Sequence, residues 1–214
     1  MERMRIAVLI SGSGSNLQAI INACEKKQIN GDIVAVISNR PNVYGLERAE
    51  KASIETVVLD HKKFESRETY DCALMEKIDH FTPDLVVLAG FMRILTPRLV
   101  QKYKGKMLNI HPSLLPKYQG LNTHQRAIDA SDKEHGVSVH FVTEELDGGP
   151  VVLQAKIDIL PEDTADKLAQ RIHQKEHIIY PLVVQWFSEQ RLKMEEEYAV
   201  FDNKKLPAHG ENYA

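Results

Sequence analysis

The chain has 214 residues, 43% hydrophobic and 27% charged, with a formal net charge of −3. That balance is the balance of a globular domain with one core burying roughly 70% of the unfolded surface, and it excludes a disordered or fibrous chain. The slight acidity and the lack of a long basic run leave no electrostatic footprint for nucleic acid or for an anionic membrane.

The apolar run Ile6–Ile10 opens the chain as a strand, and Ser11-Gly12-Ser13-Gly14 follows it at once, so the run is too short for a signal-peptide core. Leu17, Ile20, Ile21 and Cys24 then fall at i, i+3, i+4 and i+7, which predicts a helix. Continuous rather than alternating apolar runs recur at Ile33–Ile37, Val57–Leu59 and Leu85–Ala89, as in strands of a parallel sheet buried on both faces. Between the last two, Tyr70, Leu74 and Ile78 mark a helix from Ser66 to His80. The longest apolar stretch, Leu85–Met92, is far below the ~20 residues of a membrane span. Cys24 and Cys72 fall in the two helices with no C-x-x-C, which reads as reduced structural thiols in a cytoplasmic protein. Strand Met107–His111 ends at Pro112, and Val137, Val139 and Phe141 alternate with polar residues. Asp147-Gly148-Gly149-Pro150 then turns the chain into Val151–Ile159, an antiparallel partner. A helix from Thr164 to Glu189, kinked at Pro181, follows, and residues 207–214 read as a flexible tail. The predicted fold is one α/β domain over residues 1–206: a doubly wound, mostly parallel, Rossmann-like sheet with antiparallel C-terminal strands.

Three features carry chemistry. The strand–SGSGSN–helix turn presents Gly14, Ser15 and Asn16 at a helix N-terminus, where backbone N–H groups hold phosphate. A dinucleotide fingerprint fails, because Leu17 stands where the third glycine belongs and Ser38-Asn39-Arg40 offers no acidic ribose partner. Asn109 and His111, two residues apart, share a strand face at about 6.6 Å and converge at a strand end, where open sheets bind ligands. Asp147 follows a strand end too, although Asp-Gly is equally an ordinary turn signal. A carboxylate near His111 favours the imidazolium, which donates to a developing oxyanion beside the Asn109 amide. His111, His140 and Asp147 are ligand types, but no H-x-x-x-H helix or Cys cluster supports a metal. Finally, Glu176 interrupts the apolar stripe Leu168, Ile172, Ile179, Val183 and Trp186, either as an internal ion pair or as a carboxylate for ribose hydroxyls. His173, one turn earlier, faces nearly the same way and suits a phosphate.

SGSGSNLQAI, VVLAGFMRIL, NIHPSLLPKYQG and HFVTEELDGGPVVLQ, in that order, resemble the phosphoribosylglycinamide formyltransferases, a family of folate-dependent formyltransferases. The resemblance runs from Arg5 to Leu206. HPSLLP and LDGGP are shared more widely among formyl transferases and hydrolases, while the first turn and QKEHIIYPLVVQWF favour the glycinamide ribonucleotide enzymes. It implies 10-formyltetrahydrofolate as co-substrate, no metal, and small-molecule substrates rather than nucleic acid or membrane, in a monomer or weak homodimer. By resemblance, Gly14, Ser15, Asn16, His173 and Glu176 hold the ribonucleotide, and Asn109, His111 and Asp147 are catalytic, with His140 in support. Arg67, Met92, Arg93, Ile94, Leu95, Asn109 and the loop Thr143, Glu144, Glu145, Leu146 and Asp147 are implied to hold the folate. A formyltetrahydrofolate hydrolase and a non-catalytic folate-binding module are the competing expectations; transfer to methionyl-tRNA is opposed by net acidity and length.

Overall fold

The run MRIAVLI forms β1 (Met4–Ile10), whose side chains from Ile6 onward are all buried. It lies between β2 (Gly31–Ser38) and β4 (Leu85–Leu88), parallel to both, so both of its edges are paired, and its consecutive buried side chains show that both faces are covered. This computed structural model describes residues 2–214, which divide into two units, the first ending at Leu108 and the second spanning Asn109–Ala214.

In the first unit α1 (Ser15–Glu25) follows β1, α2 (Tyr44–Lys51) follows β2, and β3 (Thr56–Val58) pairs parallel to β2. Helix α3 (Arg67–His80) starts from a capping box in which Ser66 and Thr69 satisfy each other's backbone N–H groups. Helix α4 (Pro97–Lys102) has proline in its first turn, where a missing N–H costs nothing. The strand order is β3-β2-β1-β4-β5, with β5 (Met107–His111) crossing into the second unit.

In the second unit α5 (Thr123–Asp129) precedes the antiparallel pair β6 (Glu134–Phe141) and β7 (Val151–Asp158), as the alternating pattern requires. Helix α6 (Ala165–Ser188), capped by Thr164, buries Leu168, Ile172, Ile179 and Val183 and packs on both strands. Pro181 stands inside this helix. Strands β8 (Leu192–Glu195), β9 (Tyr198–Phe201) and β10 (Lys204–Lys205) form a small antiparallel sheet. Near the C-terminus β11 (Glu211–Tyr213) pairs parallel to β7, with Asn212 opposite Gln154. The fold is therefore the expected doubly wound, mostly parallel α/β architecture with antiparallel strands toward the C-terminus. Among the described residues no helix is long and apolar enough to cross a membrane.

Candidate active site

Strand β5 ends at His111, and its alternation leaves Asn109 half-buried and His111 buried on one face. Asp147 sits in the β6–β7 turn with φ of 51°, a left-handed conformation that a short polar side chain tolerates best. The turn is closed by Gly149, where a Cβ would stand 1.8 Å from the Phe141 carbonyl, so only glycine lets the two strands approach.

The side chains meet within the second unit. His111 Nδ1 lies 3.5 Å from Asp147 Oδ2, both side chains being less than a tenth exposed. His111 Nε2 donates to the Tyr118 carbonyl at 2.8 Å, which fixes the proton on that nitrogen and leaves Nδ1 facing the carboxylate. The backbone N–H of Gly120 donates to Asp147 Oδ2 at 2.9 Å. His140, on β6 beside an irregularity in the pairing with β7, donates from Nδ1 to the Phe141 carbonyl at 2.8 Å. Its Nε2, an acceptor in the neutral ring, takes an N–H of Asn109 at 3.2 Å and stands 3.9 Å from Asp147 Oδ1. Burial pushes the His140 pKa down, which keeps that ring neutral and the acceptor in place. The network therefore orients the Asn109 amide nitrogen and leaves it one N–H to donate elsewhere.

The other expected residues divide between the units. In the first, Gly14 is the N-cap of α1 with φ of 71°, and a Cβ there would fall 2.7 Å from the Gly45 Cα, so glycine is required where this turn meets the start of α2. Ser15 and Asn16 open α1, both half-buried. Arg67 is the exposed first residue of α3, a cation at the helix end where the macrodipole disfavours it, so helix stability does not explain its place. Met92–Leu95 belongs to no helix or strand; Met92 and Ile94 are exposed, and the Arg93 guanidinium sits 4.4 Å over the buried Tyr70 ring. The Met92 N–H is already taken by Ser11 Oγ at 2.8 Å, so what Met92 still offers is its carbonyl. Thr96 N–H, closing the segment, donates to buried Asp71 at 2.7 Å. In the second unit, Glu176 is buried on α6 while His173 is exposed and stacks on His177. Thr143 is half-buried, and Glu144, Glu145 and Leu146 are exposed in the loop leading to Asp147.

Two functional groups lie beyond sequence reasoning: the Tyr118 carbonyl and the Gly120 N–H. Both are backbone atoms, so residue type says little about them; the one clue is that KYQG lies within hydrogen-bonding reach of HPSLLP along the chain.

Residues 4–184 match the family model described as formyl transferase. Phosphoribosylglycinamide formyltransferase of Escherichia coli is 56% identical over 97% of this chain and 98% of its own length. A trifunctional purine biosynthetic protein of Drosophila melanogaster is 50% identical over 84% of this chain, which corresponds to 13% of that longer protein. Among solved structures, a phosphoribosylglycinamide formyltransferase from Coxiella burnetii superposes with a TM-score of 0.95, at 51% identity and full coverage of both chains. The chain belongs to the formyl transferase family, among its phosphoribosylglycinamide formyltransferases.

Proposed function

We propose that this protein transfers the formyl group of 10-formyltetrahydrofolate to the amine of 5-phosphoribosylglycinamide, a step of purine biosynthesis. The observation that carries the reading is the joint presence of an oriented amide donor, an imidazole and a carboxylate: Asn109 held by His140, and His111 Nδ1 facing Asp147 at 3.5 Å. Acyl transfer needs donors aimed at the oxygen that becomes negative and a base for the proton the nucleophile sheds. The relatives at 51% and 56% identity carry that activity in their names.

The amine attacks the formyl carbon, forming the C–N bond and moving the carbonyl electron pair onto oxygen. The free N–H of Asn109 stabilises that oxyanion, joined by the Nδ1–H of His111 when the ring carries a proton on both nitrogens. The gap of 3.5 Å between Nδ1 and the carboxylate exceeds the 2.7–2.9 Å of a closed charge-assisted bond, so Nδ1 is not closed onto Asp147 and remains available to substrate. Asp147, facing His111 Nδ1 at 3.5 Å, receives the amine proton, which passes to N10 as the C–N10 bond breaks, giving the formylated amine and tetrahydrofolate. Neither step asks for a protein nucleophile.

For the ribonucleotide, the reading assigns its phosphate to Gly14, Ser15 and Asn16, supported by a left-handed glycine cap at a helix N-terminus, with His173 in help and Glu176 on the ribose. For the folate it assigns the backbone of Arg93, Ile94 and Leu95, the Met92 carbonyl, Arg67, Asn109 and the loop Thr143–Asp147. Turnover of a 10-formylfolate with and without glycinamide ribonucleotide, in chelator, tests the proposal. Ribonucleotide-dependent turnover is expected; turnover in its absence would mean a hydrolase, an alternative to which the named relatives lend nothing.

A further inference from the structure

Residues 117–122 touch both His111 and Asp147 through their backbone. Tyr118 offers its carbonyl to His111 Nε2, Gly120 its N–H to Asp147 Oδ2, and the Gln119 side chain reaches the Asp147 carbonyl at 3.4 Å. Tyr118 adopts φ of 55°. A bulky non-glycine residue in the left-handed region is strained, and such strain persists where the surroundings over-determine it.

What holds it is visible on the outer side. Asp132, just after α5, accepts the Tyr118 hydroxyl at 2.7 Å and Lys117 Nζ on both carboxylate oxygens at 3.1 Å. The Tyr118 hydroxyl, with Lys117 behind it, keeps the Asp132 carboxyl below the usual carboxylate range, so the anchor is ionised at neutral pH. Arg126, on α5, donates to the Gln119 carbonyl at 2.7 Å and the Leu121 carbonyl at 3.2 Å, and its guanidinium lies 5.1 Å over the Tyr118 ring. Neither Asp132 nor Arg126 touches Asn109, His111 or Asp147 by any bond described above.

We propose that Asp132, through the Tyr118 hydroxyl, and Arg126, through the Gln119 and Leu121 carbonyls, are positioning residues that hold loop 117–122 as a clasp on the imidazole of His111 and the carboxylate of Asp147. The clasp sets which nitrogen of His111 carries the fixed proton and therefore which one faces the reaction. The inference rests on the formyl-transfer reading for its kinetic consequence but not for its structural one.

Tyr118→Phe deletes the hydroxyl alone, Asp132→Ala deletes its acceptor, and Asp132→Asn keeps an oxygen that can still accept. Tyr118→Phe and Asp132→Ala should each lower kcat roughly 5- to 10-fold, the worth of one hydrogen bond. Both KM values should stay within about twofold. The double variant should be no slower than the worse single one, because both cut the same link, and Asp132→Asn should recover most of the rate. At a pH where the ring is neutral, nitrogen chemical shifts of His111 should report one tautomer, protonated on Nε2, in the wild type and Asp132→Asn, and a mixture in Tyr118→Phe. Additive rate losses, or a His111 tautomer unmoved by Tyr118→Phe in a folded protein, would overturn the clasp. If the wild type shows no ribonucleotide-dependent turnover, the formyl-transfer reading fails, and the His111 shifts still decide the clasp.

Discussion

Asn109→Ala removes the amide that the site orients most completely. In the wild type one Nδ2–H is committed to His140 Nε2 at 3.2 Å, and buried, neutral His140 anchors its own Nδ1 on the Phe141 carbonyl at 2.8 Å. The second N–H is therefore pre-aimed before substrate arrives, the condition under which a donor contributes most to the transition state. Loss of one such donor costs about 10²–10³ in kcat, or about 2.7–4 kcal/mol. The substitution also strips buried His140 Nε2 of its donor, about 1–3 kcal/mol of stability if no water replaces it. For a chain of this length that is a fall in Tm of a few degrees, up to about 10 °C. Single-turnover formyl transfer, followed by folate absorbance at saturating substrates, separates the two effects from thermal unfolding of the same samples. A folded Asn109→Ala protein whose single-turnover rate stays within about fivefold of wild type would refute the oxyanion role.

Asp147→Asn keeps the shape of the turn and an acceptor for the Gly120 N–H but removes the charge facing His111, so kcat is expected to fall by at least about 10²-fold with KM values little changed; a rise in KM with kcat retained would point to substrate binding instead. Asn16→Ala should raise KM for glycinamide ribonucleotide about tenfold or more and leave KM for the folate alone, and steady-state kinetics with each substrate varied would expose the opposite pattern. Asp71→Ala orphans the buried Thr96 N–H, now bonded at 2.7 Å, and should cost about 1–3 kcal/mol in denaturant unfolding. Acid should weaken the fold. Burial holds His135 down to about 4, and lowers His124 and His140 as well, below the 6.5 of an unfolded histidine. The unfolded chain therefore takes up protons first, stability is full above about pH 6.5, and it declines from there toward pH 4. The His135 gap alone is worth about 3 kcal/mol at most. Denaturant midpoints at pH 7 and pH 5 should differ in the wild type and differ less in His135→Gln; an identical slope in the variant would remove His135 from the account.

Elements whose physics is local were legible in the sequence. β1 showed as an unbroken apolar run because both of its faces are covered, α3 and α6 as periodic stripes ending at Ser66 and Thr164 caps, and β6–β7 as alternation around DGGP. The helices α2, α4 and α5, of eight, six and seven residues, are too short to display a helical period over the window that reveals one. β11 is three residues, ENY, and its pairing with β7 is supplied by the partner strand rather than by its own propensity. The same division holds in the site. Asn109 and His111 were legible because strand alternation puts i and i+2 on one face. The His140 contact to Asn109 depends on neighbouring strands and on the irregular pairing at Val139/His140, and the Tyr118 and Gly120 contacts are made by backbone atoms common to nearly every residue type.

The fate of the formyl carbon tests the central claim most directly. With 10-formyltetrahydrofolate labelled with carbon-13 in the formyl group, glycinamide ribonucleotide and the wild-type protein, the label should appear by NMR in the formamide of the ribonucleotide product, matched one for one by tetrahydrofolate. Label recovered as formate at the same rate with or without the ribonucleotide would contradict the account.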